Sequence, residues 1–427
     1  MLTVIERRRL VLARKGRPLS DPAARIITTA KTMMETRLKE MASLFRATDE
    51  SHGENSPPLS PLPVIPLIKP VGDHCNLRCR YCFNKPSSPF RLMPDQLLET
   101  LIAQVFDLNP GVTDFIFHGG EPLLAGMQFF EKAMSFQERH NRRSQKIRNF
   151  ITTNGTLLND EWAQFFSKHK FGVTVSIDGP PEVHDRNRVD ASGRGTAERV
   201  MKGIQTLKAH QLRPGILSVI PAEPQVSARE LFDFVASLGV RDWRANPIRS
   251  IEPVNRYAEF MEDLFDVWST SKEDLHVTMI RETLHGQLGY APPACFMKGS
   301  CHKFIGFEPD GVVSPCCEMS LDPPFHFGNL SDTSLRNILE STKARKFWSD
   351  QRKGTECHCH GCAWSHLCRG GCTYQRLQYS GSPEGKDYMC ETYRDVFSRL
   401  TARIDSILLN AGSEADRSVE KREAQMM

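Results

Sequence analysis

The stretch CNLRCRYC, residues 75–82, places three cysteines at the spacing C-x3-C-x2-C directly after the apolar run VIPLIKPV at 64–71. Thiolates are soft ligands that suit iron–sulfur clusters or zinc. Three cysteines can each bind one iron of a cubane cluster, which leaves the fourth iron open to a substrate or cofactor. A zinc site with His74 as a fourth ligand is the alternative. The spacing therefore predicts a reactive metal centre at the end of a first strand.

Short apolar runs alternate with helical patterns after this motif. Strands are predicted at 64–71, 114–119, 148–154, 172–178, 215–220 and 242–248, and helices between them at 94–107, 128–140, 159–168, 196–210 and 227–238. Alternating strands and helices form parallel sheets. Six such units predict an α/β fold, a partial (β/α)6 parallel barrel whose chemistry lies at the C-terminal ends of its strands.

Composition excludes several classes of protein. The 427-residue chain carries a formal net charge of +4, too small for a nucleic-acid binder, and no apolar run is long enough to span a bilayer. The N-terminus, MLTVIERRRLVLARKG, meets charged residues too early for a secretory signal. We therefore expect a cytoplasmic protein with no nucleic-acid or membrane partner, whose cysteines are metal ligands or catalytic groups and not disulfides.

The distribution of residues divides the chain into four parts. We predict a helical extension and linker at 1–62, the barrel at 63–290, a cysteine-rich domain at 291–395, and the end of a C-terminal helix with a disordered tail at 396–427. Ten of the 13 cysteines lie between 295 and 390. Further helices are expected at 254–270, 277–288, 333–349 and 388–409.

The cysteine motif resembles the signature of the radical S-adenosylmethionine (SAM) superfamily, with Tyr81 as the aromatic residue before the last cysteine. HGGEPLL at 118–124 resembles the GGEP motif of that family, and SIDGPPEVHDRNRVDASGRGT at 176–196 resembles anaerobic sulfatase-maturating enzymes and their relatives. The resemblance implies a 4Fe–4S cluster on Cys75, Cys79 and Cys82 whose open iron binds SAM. Its reduction cleaves SAM to a 5′-deoxyadenosyl radical, which abstracts a substrate hydrogen.

The same resemblance implies a set of SAM-binding residues: Tyr81, Gly119, Gly120, Glu121, Asn154 and Ser176. The two glycines let the backbone approach the methionine moiety, and Glu121 would lie near its amine. Asp178 and Arg188 belong to the same loops, where they could serve the site or only stabilise the loop.

The later cysteines, Cys301-x9-Gly311-x4-Cys316 and Cys359-x2-Cys362-x5-Cys368-x3-Cys372-x17-Cys390, resemble the SPASM domain of radical SAM peptide and protein maturases. With Cys295 as an upstream ligand, the resemblance implies two auxiliary 4Fe–4S clusters. One is held by Cys295, Cys301, Cys316 and Cys372, and the other by Cys359, Cys362, Cys368 and Cys390. Two structural zinc sites are the alternative. Fully ligated clusters have no open iron and suit electron transfer.

SPASM enzymes act on polypeptides, so the resemblance implies a peptide or protein substrate and a flavodoxin- or ferredoxin-type electron donor. We expect oxidation of a ribosomally made peptide with formation of a cross-link. The alternatives are conversion of a sulfatase Cys or Ser to formylglycine, and a non-catalytic iron–sulfur electron-transfer protein, against which the three-cysteine motif with GGEP argues.

One residue bears on the choice between cross-link formation and formylglycine formation. Sulfatase maturases typically carry an aspartate, proposed as the base, after the third auxiliary cysteine, and here that residue is Cys317. The difference argues against formylglycine formation and makes Cys317 either a candidate catalytic residue or a small buried one. Cys357 lies outside the ligand pattern and is predicted to be an ordinary thiol.

Overall fold

The computed structural model describes residues 63–82, 89–248, 255–287, 294–298 and 301–425; the predicted extension and linker at 1–62 lie outside this range. Six parallel strands pair in chain order: β1 Ile65–Ile68, β2 Thr113–Phe117, β3 Ile147–Thr153, β4 Gly172–Ser176, β5 Gly215–Ile220 and β6 Asp242–Pro247. The predicted strands and the open parallel sheet are confirmed.

Helices connect these strands: α1 Asp95–Leu108, α2 Met127–His140, α3 Asp160–Lys168, α4 Pro181–Asn187, α5 Ala197–Ala209 and α6 Ala228–Ser237. Side-chain caps mark several starts; Asn159 accepts the amide of Trp162, and Ser227 forms a capping box with Glu230. The short α4 was not predicted, because its seven residues are too few to show a helical period.

The sheet is longer than predicted at both edges. β7 (His276–Val277) pairs in parallel with β6, and β8 (Phe304–Phe307) pairs in parallel with β1. β9 (Val312–Ser314) and β10 (Gly328–Asn329) continue from β8 as antiparallel strands. The cysteine-rich region therefore extends the barrel sheet beside its first strand. This places the segment after β9 next to residues 75–82, called the cysteine loop below.

The remaining helices are α7 Asn255–Thr270, α8 Thr278–Gln287, α9 Cys295–Lys298, α10 Leu335–Leu339, α11 Thr342–Cys359, α12 Ser365–Cys368, α13 Thr373–Ser380 and α14 Cys390–Gln425. One prediction is corrected here. The single helix at 333–349 is two helices, because the Ser341 side chain accepts the amide of Ala344 and starts α11. The helix predicted at 388–409 is α14, which runs to Gln425.

Aromatic residues fill the core between the sheet and the outer helices. Phe130 packs edge-to-face on Trp162 at 5.3 Å between ring centroids, and Phe117 lies 5.1 Å from Phe130. The C-terminal helix α14 is joined to α7, where Arg399 donates to Glu262 at 2.8 Å. These contacts give the strand ends a rigid support. None of the helices among the described residues is both long and apolar enough to cross a membrane.

Candidate active site

A cavity of about 430 Å³ lies at the C-terminal ends of the barrel strands. The barrel contributes the predicted site residues Cys75, Cys79, Tyr81, Cys82, Gly119, Gly120, Asn154 and Ser176, together with Arg188. The cysteine-rich region contributes Glu318, Tyr374, Gln378 and Tyr388. The structure thus brings together the three cysteines and five of the six predicted SAM-binding residues; Glu121 does not line this space.

The cysteine loop is held by backbone hydrogen bonds to the loop after α4. The amide of Arg78 donates to Val189 O at 2.7 Å, and that of Arg80 to Asn187 O at 3.0 Å. Within the loop, the Leu77 amide donates to Cys75 Sγ at 3.3 Å. Burial raises the pKa of Cys75 to about 12, and the hydrogen bond from Leu77 offsets part of that rise in favour of the thiolate, which is the ligating form. The loop is therefore shaped to present its sulfur atoms to the cavity.

Asp178 and Arg188 form a buried ion pair under this loop. Arg188 Nε donates to Asp178 Oδ2 at 2.9 Å, the Tyr81 hydroxyl donates to the same oxygen, and the guanidinium lies 5.5 Å from the Tyr81 ring centroid. Burial raises the pKa of Tyr81 well above its usual value, so the phenol remains a donor. The pair therefore anchors the residue before Cys82, and Arg188 also lines the cavity.

His184 holds the backbone of Asp178 in place. Burial lowers the pKa of His184 to about 4, so its ring is neutral, and Nδ1 accepts the Asp178 amide at 3.2 Å. Its Nε2 lies 2.9 Å from Thr196 Oγ1, whose hydroxyl donates to Arg188 O at 2.9 Å. The loop that resembles sulfatase maturases thus closes on itself through buried hydrogen bonds.

Glu121 is fully buried and organises the segment after β3. Its carboxylate accepts from Thr153 Oγ1 at 2.8 Å, from the Asn154 amide at 2.7 Å and from the Leu123 amide at 3.0 Å. Burial nevertheless raises its pKa to about 7. The structure assigns its contacts to the protein and not to the cavity, so Glu121 acts on the site through Asn154.

The two glycines of the GGEP motif are required by the cysteine loop itself. Gly119 has φ +115°, and a Cβ there would lie 2.6 Å from Gly72 O. A Cβ at Gly120 would overlap the backbone carbonyl of His74. The Glu121 amide donates to that carbonyl at 2.8 Å. Side chains at these two positions would push the loop away from the strand ends.

One group of later cysteines lies around the start of α13. The buried Cys301 Sγ is 3.4 Å from Thr373 Oγ1, beside Cys372. Burial raises the pKa of Cys316 well above its usual value, and the nearby Cys317, Glu318 and Cys372 raise it further. Cys295 is exposed on α9, which packs against the turn that begins at Cys301. The predicted first auxiliary set is thus gathered in one region.

The second set lies on α11, α12 and the start of α14 and on the turn between α11 and α12. Burial raises the pKa of the Cys368 thiol, and Asp387, Cys390 and Cys359 add to the shift. Cys359 is coupled in the same way to Cys362. Within the described residues, no three ligating side chains converge on a point that could hold a single metal ion. Cys357 is exposed, two residues before Cys359.

Both sets have the chemistry of iron–sulfur sites. No disulfide bond joins any of the 13 cysteines, all of which lie among the described residues, and all the predicted ligands are cysteine side chains, the soft donors that such clusters require. Burial is the main cause of the raised pKa values of Cys316 and Cys368, and neighbouring anionic groups add to it; a bound cationic centre would stabilise the thiolates that both effects disfavour. The residues present fit the clusters that the spacing implies.

Lys69 is a structural feature that the sequence pattern did not reveal. Its buried Nζ lies 2.6 Å from Asp73 and 2.6 Å from Glu308, and it donates to Ser320 Oγ at 2.8 Å and to Cys317 O at 3.3 Å. The available signal was a lysine inside an apolar run, since a buried lysine needs partners. It ties the cysteine loop to the segment around Cys317.

Cys317, the candidate catalytic residue of the sequence, is half-buried and is not among the residues that line the cavity. Its backbone carbonyl accepts from Lys69 and from Ser320, but it is Glu318 that lines the cavity. The side chain facing the cysteine loop is therefore a carboxylate, one residue later than in the pattern of sulfatase maturases. The direction of a side chain in an irregular turn has no signature in spacing alone.

Comparison with known proteins agrees with this geometry. The Radical SAM superfamily model matches residues 70–237, and SPASM, an iron–sulfur cluster-binding domain, matches 295–363. The cysteine-type anaerobic sulfatase-maturating enzyme of Clostridium perfringens (strain 13 / Type A) is 32% identical over 372 residues, 82% of this chain and 99% of that protein. This chain belongs to the anaerobic sulfatase-maturating enzyme family. The serine-type enzyme of Klebsiella aerogenes is 29% identical over 81% of this chain and 87% of its own length.

Two solved structures share the fold of this chain. Native anSMEcpe with bound AdoMet is 30% identical, with a TM-score of 0.72, covering 81% of this chain and 99% of its own. Streptococcus suis SuiB bound to S-adenosylmethionine is 16% identical, with a TM-score of 0.58 over 88% of this chain and 94% of its own, and shows the shared fold alone. The protein is a radical SAM enzyme with an iron–sulfur cluster-binding domain, as the resemblance implied.

Proposed function

We propose that this enzyme modifies a peptide or protein by removing two hydrogens from it. The cavity that joins the cysteine loop to Glu318 is the observation that carries the proposal. In this proposal residues 63–290 are the radical SAM core and 291–395 the auxiliary domain. Cys75, Cys79 and Cys82 hold the SAM-binding cluster, and the two later cysteine sets hold the auxiliary clusters.

When bound, the clusters and SAM would supply the redox chemistry, namely the removal of one hydrogen atom and of one electron from the substrate. The chain's own residues bind and orient. Asn154 and Ser176 line the cavity next to the cysteines, and Asn154 Nδ2 donates to Cys75 Sγ at 3.6 Å. Tyr81, Gly119 and Gly120 complete this wall, and Glu121 holds Asn154 in place.

Glu318 is the residue proposed to accept the proton. Loss of a hydrogen atom and an electron from the substrate must be accompanied by loss of a proton, which needs a base. Among the described residues that line the cavity, Glu318 is the carboxylate. A carboxylate accepts a proton readily near neutral pH, whereas a thiol such as Cys317 does so only when its pKa is lowered. Glu318 therefore replaces Cys317 as the candidate catalytic residue.

The product proposed first is a cross-link within the peptide. A new bond between two substrate atoms balances the loss of two hydrogens without adding oxygen or displacing sulfur. The sequence feature that supports it is Cys317 at the position where sulfatase maturases typically carry aspartate. Tyr374, Gln378 and Tyr388 from the auxiliary domain form the wall where a peptide would lie opposite the cysteines.

Formylglycine formation is the second candidate. Two observations favour it: the relatives that match over most of the chain are sulfatase-maturating enzymes, and Glu318 supplies a carboxylate to the cavity. Anaerobic sulfatase-maturating structures with bound Cp18Cys peptide match this chain with a TM-score of 0.71. In either case the substrate is a polypeptide segment, and we propose a flavodoxin- or ferredoxin-type electron donor and a cytoplasmic location.

Mass spectrometry of two substrates separates the candidates. The full chain is co-expressed anaerobically with any short peptide found to be encoded beside its gene and, separately, with a sulfatase peptide that contains the target cysteine. A cross-link gives a peptide that has lost two hydrogens and does not react with an aldehyde-specific hydrazide probe. Formylglycine gives a product that the probe labels. Neither change in either peptide, with all clusters loaded, would overturn the proposal.

A further inference from the structure

Arg376 on α13 is almost completely buried, with 2% of its surface exposed. Its Nε and Nη2 both donate to Gly370 O, at 2.9 and 2.6 Å, and Nη2 also donates to Thr355 Oγ1 at 2.8 Å. Its Nη1 donates to Gln351 O at 3.0 Å and to Pro383 O at 3.4 Å. Every one of these acceptors is neutral, so the hydrogen bonds satisfy the donors and leave the positive charge uncompensated.

A buried charge without a counter-charge is costly, and buried charges in proteins are therefore paired or bind a charged group. Within the described part of the chain, no carboxylate lies in ion-pair distance of the Arg376 guanidinium. Asp350 on the adjacent α11 pairs instead with Lys346 at 2.6 Å. The buried Asp387 accepts the amides of Cys372 at 2.7 Å and Met389 at 2.8 Å.

The surroundings of Arg376 show where its counter-charge lies. Gly370, which accepts two of its hydrogen bonds, stands between Cys368 and Cys372. Thr355 stands one helical turn before Cys359 on α11. The guanidinium is thus fixed beside the two segments that carry Cys359, Cys368 and Cys372.

We propose that Arg376 is the buried counter-charge of the cluster held by Cys359, Cys362, Cys368 and Cys390, and that it raises the reduction potential of this cluster. The inference rests on the ligand assignment of the proposed function. Reduction adds one negative charge to a centre that already carries four thiolates. A fixed cation in a low-dielectric surrounding stabilises that added charge. Arg376 thereby makes this cluster the better electron acceptor.

Gly370 adds a geometric requirement. It has φ +88°, and a Cβ there would overlap the Arg376 guanidinium. The hydrogen bonds from Arg376 to Gly370 therefore fix the short loop between Cys368 and Cys372. These two cysteines are proposed ligands of different auxiliary clusters. Arg376 is a positioning residue as well as a charge, and the two roles are separated by comparing variants that retain or remove the charge.

The test is an EPR-monitored redox titration of the reconstituted full chain. The signal of the second auxiliary cluster is identified by its loss in Cys390→Ser. We expect Arg376→Gln to move its midpoint potential to a more negative value while iron content is retained, and Arg376→Lys to leave it near that of the wild type. Arg369→Gln is the matched control, because Arg369 follows Cys368 but is exposed and screened by solvent.

An unchanged midpoint in Arg376→Gln, with full iron content, would overturn the inference. If Arg376→Gln loses iron, Arg376→Lys decides: iron and potential like those of the wild type support the counter-charge, and loss of iron in both variants shows that only the hydrogen bonds matter, which contradicts it. Failure of the underlying ligand assignment looks different, since Cys390→Ser would then retain all the iron of the wild type.

Discussion

The ammonium group of Lys69 lies 2.6 Å from the carboxylate of Glu308, which joins the end of β1 to the end of the strand that the cysteine-rich region places beside it. The same group lies 2.6 Å from Asp73, two residues before the first cysteine of the loop. A single buried cation thus connects the two parts of the chain that form opposite walls of the cavity. Its partners make it a structural link between them.

Lys69→Met should destabilise the protein strongly. Methionine fills a similar space but leaves the carboxylates of Asp73 and Glu308 without a cation. Breaking a buried ion pair in this way costs about 3–5 kcal/mol of folding free energy. Anaerobic thermal unfolding measures the effect. Lys132→Met is the matched control, because its pair with Asp95 at 2.5 Å is about half exposed and is worth less than about 1 kcal/mol. Equal melting temperatures for the two variants would refute the role of Lys69.

The Asp178–Arg188 pair should matter more for the cysteine loop than the Tyr81 hydroxyl does. Asp178→Asn leaves Arg188 as a buried uncompensated cation, so we expect loss of iron from the first cluster together with weaker SAM binding. Tyr81→Phe removes one hydrogen bond, worth about 1 kcal/mol, and should retain the cluster. Iron analysis with equilibrium SAM binding measures both. Full iron and normal SAM affinity in Asp178→Asn would contradict this account.

Glu121 predicts a pH dependence of stability. Its folded-state pKa of about 7 lies above the ordinary value of 4.5, so between these pH values the folded protein holds a proton that the unfolded chain releases. Stability should therefore fall as pH rises from about 4.5 to 7 by up to about 3 kcal/mol, and Glu121→Gln should remove this slope. Melting temperatures of both proteins across that range measure it. Parallel curves for the two would show that Glu121 does not titrate as inferred.

Glu318 and Cys317 should differ in their effect on the product. Glu318→Gln keeps the size of the side chain but removes the base, so product formation should fall by about 100-fold or more while iron content and SAM cleavage persist. Cys317→Ser should retain product formation, because Cys317 does not line the cavity. Mass spectrometry of the peptide and quantification of 5′-deoxyadenosine give both values. A product loss in Cys317→Ser alone would restore Cys317 as the catalytic residue.

Much of the barrel could be predicted from the sequence because its signals are local. Each of the six central strands is a short apolar run, and a helix follows with its own apolar stripe, so periodicity locates both. The three cysteines of the first motif share one loop, and their spacing alone indicates their chemistry. Cys359, Cys362 and Cys368 are likewise close in sequence.

The remaining features depend on contacts between distant segments. β8 pairs with β1 across more than two hundred residues, and its four residues give no period. Lys69 finds partners in three separate segments. Arg376 stands in a helix of mainly polar residues, where a charged side chain is normally exposed, and only the fold shows that it is buried. Tertiary packing decides each of these positions, and no short pattern encodes it.

The auxiliary ligand sets predict distinct metal contents. Reconstituted wild-type protein should hold about twelve irons per chain, as three 4Fe–4S clusters require. Cys316→Ser should lose about four irons, whereas Cys357→Ser should lose none, because Cys357 is exposed and lies outside both sets. Metal analysis of purified proteins provides the numbers. A measured content of about two zinc and about four iron per chain would show that the auxiliary cysteines hold zinc and not iron–sulfur clusters.

The most direct test of the central claim is 5′-deoxyadenosine formation by the reconstituted enzyme incubated anaerobically with SAM and dithionite. We expect the wild type to form 5′-deoxyadenosine and Cys79→Ser to form none, because the variant lacks one ligand of the reactive cluster. Absence of 5′-deoxyadenosine from wild-type protein with all clusters loaded would contradict it.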